Sequence, residues 1–233
     1  LAATVKEKTN EYFKYFIMHQ FVSLFFLVLL ISCSNGQSNI YPPTYGPITV
    51  HKVSRNGKMV LDTVYHTVGP FTFVNQRNDT VDESILKNKV SIGSCFHSTF
   101  QTKVDTLLES TLDSVNRTFG NRSDFYIISY TVDPVFDTPR KLKKYYENKQ
   151  VVGDNWYFLT GQSPDSLYRF LRYNYLIVAN RDTSGSEPGG FIHSEQIVLV
   201  DRKQRIRGFY DGTKIEHLSK LISDAKILLN EKP

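Results

Sequence analysis

From Gly69 onward the chain switches repeatedly between a two-residue and a helical hydrophobic period, and that switching predicts its elements. Phe71-Thr72-Phe73-Val74 alternates as a strand, and Asn75 to Asp79 predicts a turn. Lys89 to His97 (KVSIGSCFH) is a β-prone stretch able to enter a core. Phe100, Val104, Leu107, Leu108, Leu112 and Val115 fall at helical spacing and predict one apolar helix face. Phe125 to Val132 is almost continuously apolar or β-branched, as in a strand buried on both faces, and Asp133-Pro134 ends it. Thr138-Pro139 opens a helix that runs to about Lys149, with a cap-like residue before a first-turn proline. Trp156 to Leu159 is a short strand, and Ser163 caps a helix reaching Tyr173. Ile197–Val200 and Ile206–Tyr210 form a hairpin around the turn Asp201–Gln204. A last helix, Ile215 to Leu229, presents Ile215, Leu218, Leu221, Ile222 and Ala225 on one face. Strands alternating with helices, then a hairpin and a helix, predict an α/β sandwich.

The N-terminal part follows another pattern. Phe16 to Ser32 (FIMHQFVSLFFLVLLIS) is an apolar run near the lower limit of a spanning helix, about 17–25 residues, and it also suits the apolar region of a signal peptide. It ends in Leu30-Ile31-Ser32-Cys33, which resembles a bacterial lipobox and implies lipidation of Cys33. A plain membrane anchor with Cys33 as bystander is the alternative. The following SNGQSNIYPPTYGP is rich in Ser, Asn, Gly and Pro and reads as a flexible tether. The expected organisation is a leader over 1–33, a tether over 34–60 and one domain over 61–233. That places the protein in the cell envelope, membrane-anchored and facing the periplasm or extracytoplasmic side.

Composition narrows the function classes. The formal charge of +5 is spread through mixed segments such as Lys141–Lys144 and Arg202–Arg207, with no dense basic face, so nucleic acid is not an expected partner. The chain has two cysteines, Cys33 in the leader and Cys95 in the domain, so the domain has no internal disulfide. No nucleophile–base–orienter set, phosphate loop or zinc spacing occurs, and no catalytic residue is expected. A single-thiol oxidoreductase would need Cys95 as an exposed thiolate of lowered pKa.

Three stretches carry a family resemblance. They are Ser129-Tyr-Thr-Val-Asp133-Pro-Val-Phe-Asp137-Thr138-Pro139 with Leu142 and Tyr145 beyond it, Trp156-Tyr-Phe-Leu159-Thr160-Gly161, and His193-Ser194-Glu-Gln-Ile-Val-Leu199-Val200-Asp201. In this order and spacing they resemble the Sco/SenC family, from about Pro70 to Thr213. The resemblance implies a thioredoxin-like fold with an N-terminal β extension. It also implies copper delivery and thiol–disulfide steps in cytochrome oxidase assembly. In that family two cysteines in a Cys-x-x-x-Cys segment and a distant histidine hold copper, because soft Cu(I) prefers thiolate and imidazole supplies a borderline third ligand.

This chain has no Cys-x-x-x-Cys segment. Aligned without gaps, the two cysteine positions fall on Phe100 and Val104. A second register matches Cys95 and Thr99 but deletes several residues from a core strand. In either, the copper site is degenerate. His193 corresponds to the family histidine and is a candidate metal ligand. Cys95 and His97, two apart on a strand, would share a face and could join His193 in a replacement site. Against these stand plainer roles: Cys95 as a small core residue, His97 in a loop, Asp133 as a strand end and Asp137 as part of a helix cap. The expected function is therefore a Sco-like envelope protein with a degenerate copper site. The alternative is a non-catalytic interaction module with a protein partner in the envelope.

Overall fold

A computed structural model describes residues 41–99, 102–185 and 190–231. The leader with Cys33, the first part of the tether and Phe100 lie outside the described residues. Among the described residues, no helix is long and apolar enough to cross a membrane.

The chain first forms a hairpin, β1 (Ile48–Arg55) against β2 (Lys58–Tyr65), apart from the main sheet. Within the tether expected over 34–60, residues 48–60 lie in this hairpin. Asn56 and Gly57 both adopt positive φ, and Arg55 pairs with Lys58 across them, the two-residue turn that Asn-Gly favours. Nearly every residue of both strands is exposed, so no inside–outside alternation marks the hairpin in the sequence. Residues before it are also held: Tyr45 N–H donates to the Ile206 carbonyl at 2.9 Å, and buried Arg207 donates to the Pro42 carbonyl.

The main sheet holds seven strands: β3 (Thr72–Asn75), β4 (Thr80–Asp82), β5 (Val90–Phe96), β6 (Phe125–Thr131), β7 (Trp156–Thr160), β10 (Gln196–Val200) and β11 (Ile206–Asp211). Their order is β11-β10-β5-β6-β7-β3-β4. β5, β6 and β7 run parallel at the centre, with antiparallel strands on each side. A separate pair, β8 (Ala179–Arg181) with β9 (Phe191–His193), precedes β10. Among the described residues, four α-helices accompany the sheet: α1 (Lys103–Phe119), α2 (Pro139–Asn148), α3 (Pro164–Phe170) and α4 (Ile215–Asn230).

Alternation along the strands splits the core into two layers. Ile92, Ile127, Phe158 and Leu199 face one side, packing with Leu108, Leu112 and Val115 of α1, Leu142 of α2, and Leu221, Ala225 and Leu228 of α4. Cys95, Ile128, Tyr130, Leu159 and Val198 face the other, covered by Leu167 and Phe170 of α3 and by Tyr175. Gly93 is required on this second face, because a Cβ there would stand 2.2 Å from the Tyr175 ring. This is the expected thioredoxin-like α/β sandwich.

The expected α1 face needs correction. The helix begins after Thr102, and Val104 and Leu107 are 39% and 42% exposed, so the buried stripe is Leu108, Leu112 and Val115. Ile215, at the first turn of α4, is likewise exposed, and Leu228 and Leu229 supply the burial instead. Thr138 precedes α2 without a side-chain cap bond. Asp137 is not a cap either. It is fully buried and accepts hydrogen bonds from the Thr131 hydroxyl and from the Ser98 hydroxyl and backbone N–H.

Candidate metal centre

β5 and β6 end together, with Phe96 beside Thr131, and the Val132 N–H continues the ladder to the Phe96 carbonyl at 2.8 Å. The strand geometry stops at Phe96. Asp137 anchors Ser98 just beyond, so His97 is held between two fixed points. Its ring turns toward α1, whereas Cys95 points into the opposite core layer. The two-residue strand period therefore does not carry through to His97.

α1 opens with a capping box. The Thr102 hydroxyl accepts from the Asp105 N–H at 3.2 Å, while the Thr102 N–H donates to Asp105 Oδ2 at 2.8 Å. The same oxygen also accepts from the Thr102 hydroxyl at 2.6 Å. Asp105 is thus locked in the first turn, where a carboxylate also complements the helix dipole. Its other oxygen, Oδ1, faces His193 Nε2 at 3.5 Å, and Oδ2 lies 3.6 Å from His97 Nε2.

His193 arrives from the far side. β9 pairs with β8, with Ala179 opposite His193, and Ser194 N–H donates to the Val178 carbonyl. One donor atom from each of His97, Asp105 and His193 lies within 4.8 Å of the others. The imidazoles meet edge to face at 5.6 Å between centroids. All three side chains are nearly buried, between 6% and 12% exposed. They line an open cleft of about 390 Å3 with Thr102, Val104, Ile192 and Glu195.

Burial holds the His97 pKa below the ordinary imidazole value, outweighing the opposing pull of Asp105. Cys95 stands apart from the cluster. It is fully buried, and burial, reinforced by the charge of Glu195, pushes its thiol up to about 12. Of the sequence-derived candidates, then, the structure brings His97 and His193 together and leaves Cys95 in the core. Val104 lines the same cleft as His193, whereas Thr99 is exposed and does not line it. Asp105 was not among the candidates. Its signal was the Thr102-x-x-Asp105 spacing, which predicts a capping box and nothing about a ligand.

Fold and site together define a thioredoxin-like domain with two imidazoles and a carboxylate at the carboxyl ends of its parallel strands. The chain belongs to the SCO1/SenC family, whose model matches residues 61–229. The SCO1 protein homolog of Bacillus subtilis (strain 168) is 27% identical over 183 residues, covering 78% of this chain and 93% of that protein. Among solved structures, BsSco is described as a member of the Sco family of cytochrome c oxidase assembly proteins with a disulfide switch. It matches with a TM-score of 0.62 at 27% identity, covering 72% of this chain and 95% of that one. ScoI of Bradyrhizobium japonicum with copper bound shares the fold, with a TM-score of 0.55 at 20% identity over 69% of this chain and 97% of that one.

Proposed function

We propose that this chain is a membrane-tethered Sco-family protein of the cell envelope that serves copper-linked assembly of cytochrome oxidase without dithiol chemistry. One observation carries the reading: the domain's single cysteine, Cys95, is fully buried in the core with its thiol pushed up to about 12. A thiolate is the nucleophile in disulfide exchange and the ligand for soft Cu(I), and burial suppresses it. The family's paired-cysteine positions fall on Phe100 and Val104, neither of which offers a donor atom. The cleft shared by Val104 and His193 supports that register over the one through Cys95 and Thr99. The residues present therefore do not fit the family's Cu(I) dithiolate, and no thiol-redox step is assigned to this chain. Anchoring through the apolar leader or a lipid on Cys33 completes the reading.

Competition for Cu(I) against a chromophoric chelator tests it. The wild-type chain is expected to retain no stoichiometric Cu(I), and the Phe100→Cys/Val104→Cys double variant is expected to gain it. Stoichiometric retention by the wild type would overturn the proposal, and failure of the double variant would overturn the register.

A second reading, a non-catalytic interaction module, is favoured by Val104 and Ile192, 39% and 40% exposed on the rim of the cleft. It predicts a cross-linked envelope partner from a photoreactive residue at Ile192, lost on Val104→Asp. Absence of any such adduct would count against it.

A further inference from the structure

We propose that His97, Asp105 and His193 form a binding site for one divalent late first-row cation, with Cu2+ held most tightly. The inference deepens the reading above by naming an ion that thiol-free donors can take, and the two fail separately.

The donor chemistry comes first. Imidazole nitrogen and carboxylate oxygen are borderline-to-hard ligands that suit Cu2+, Zn2+ and Ni2+ and give little to Cu(I). Among the divalent ions Cu2+ binds such a set most strongly, and it accepts tetragonal nitrogen–oxygen coordination. Two imidazoles and one carboxylate also leave positions for water or a further ligand from the cleft, where Glu195 stands at the margin.

Geometry supplies the second line. Donors about 2.0–2.1 Å from a common ion stand roughly 3 Å apart. The two Nε2-to-carboxylate separations are 3.6 and 3.5 Å, and one donor atom from each residue lies within 4.8 Å of the others, so a shared ion would draw them together. At these lengths neither imidazole makes a good hydrogen bond to Asp105, because a sound N–H to oxygen bond measures about 2.7–3.2 Å. The three groups gather around a common point.

His193 provides an independent sign. Its Nδ1 is buried and has no hydrogen-bond partner among the described residues. Buried polar atoms are usually paired, and an orphan of this kind often marks a bound ion or water.

The surroundings are also built to hold the donors still. Asp105 Oδ2 accepts from both the N–H and the hydroxyl of Thr102, which fixes the carboxylate and leaves Oδ1 aimed at His193. Asp137 fixes the loop after His97, and the β8–β9 pair fixes His193. Outer contacts of this kind typically change metal affinity by about 10–100-fold when removed.

Titration of the full-length chain with Cu2+, followed by electron paramagnetic resonance, tests the site. The expected result is one equivalent bound, with a tetragonal signal split by two imidazole nitrogens. His193→Ala and His97→Ala should each weaken binding by more than about 100-fold, beyond the loss of an outer contact, and should remove one nitrogen coupling. The exposed His51→Ala variant should leave the spectrum unchanged. Asp105→Asn keeps a capping oxygen and should retain both nitrogen couplings with weaker affinity, which separates ligand loss from failure to fold. An unaltered spectrum in His97→Ala and His193→Ala, or no stoichiometric binding by the wild type, would overturn the proposal. Stoichiometric Cu(I) retention would defeat the thiol-free reading while leaving this site standing.

Discussion

The two ends of β5 and β10 each set one aspartate beside two nitrogen-bearing side chains, with different geometry. At the amino end of β5, Asp201 is 2% exposed and both its oxygens are occupied. Oδ1 accepts from the backbone of Lys203 and Arg205 at 2.9 and 3.0 Å, and Oδ2 accepts from Arg205 Nε and Arg207 Nη1, each at 2.9 Å. Arg207 in turn donates to the Pro42 carbonyl, drawing the start of the domain onto the sheet. At the carboxyl end, Asp105 meets His97 and His193 only at 3.6 and 3.5 Å, beside an open cleft. A buried ion pair fully saturated by hydrogen bonds can do little except hold a turn. Asp105 Oδ1 and His193 Nε2, 3.5 Å apart beside the cleft, can draw onto a common ligand. Geometry and charge both differ, since Arg205 and Arg207 keep their charge whereas burial holds the His97 pKa below the ordinary imidazole value.

Removing Asp201 should be the most damaging change. Asp201→Ala removes the nearer carboxylate from the buried Arg207 guanidinium, leaving only Glu231 at 3.6 Å, and should cost about 3–5 kcal/mol in urea unfolding. A loss below about 1 kcal/mol would erase the contrast between the ends.

Acid should act on the same group. Burial alone would raise the Asp201 carboxyl, but the hydrogen bonds from Arg205 and Arg207 outweigh it and hold the pKa below the ordinary carboxylate value. Between the folded and unfolded pKa values the unfolded chain binds more protons, so the stabilisation is complete above about pH 4. It drains away as pH falls through the depressed folded value. Asp201→Asn should therefore show a shallower acid limb than the wild type, and parallel limbs would contradict this assignment.

Asp105→Asn should be the mildest, lowering stability by about 1 kcal/mol through the weakened capping box. Its larger effect should appear only with Cu2+ present, as a reduced gain in unfolding midpoint. Equal gains in both proteins would place the ion elsewhere.

Much of the fold was legible from residue patterns because its central strands are buried on both faces. Phe125–Thr131 and Trp156–Thr160 read as nearly unbroken apolar runs, and Ser163 before Pro164 marked a helix start that the structure retains. The β1–β2 hairpin was not legible, since exposed strands carry no burial pattern and only Asn56-Gly57 announced the turn. The site was legible only in part. His193 came through the family resemblance, but the direction of His97 depends on where β5 stops, and strand alternation gives no information past Phe96. Asp105 was hidden for a different reason: a carboxylate at the third position of a helix already has a sufficient role in capping. Asp137 misled in the opposite way, because a cap-like Asp-Thr-Pro sequence serves here to tie Ser98 and Thr131 beneath the site.

The central claim is that the imidazole–carboxylate cluster, and not a thiol, is the metal-binding feature of this domain. Anomalous diffraction at the copper edge, from crystals of the full-length chain grown with one equivalent of Cu2+, tests it most directly. The account predicts one peak within about 2.0–2.2 Å of a nitrogen from each of His97 and His193 and an oxygen of Asp105. A peak at Cys95, or at His51 with none between these three side chains, would contradict it.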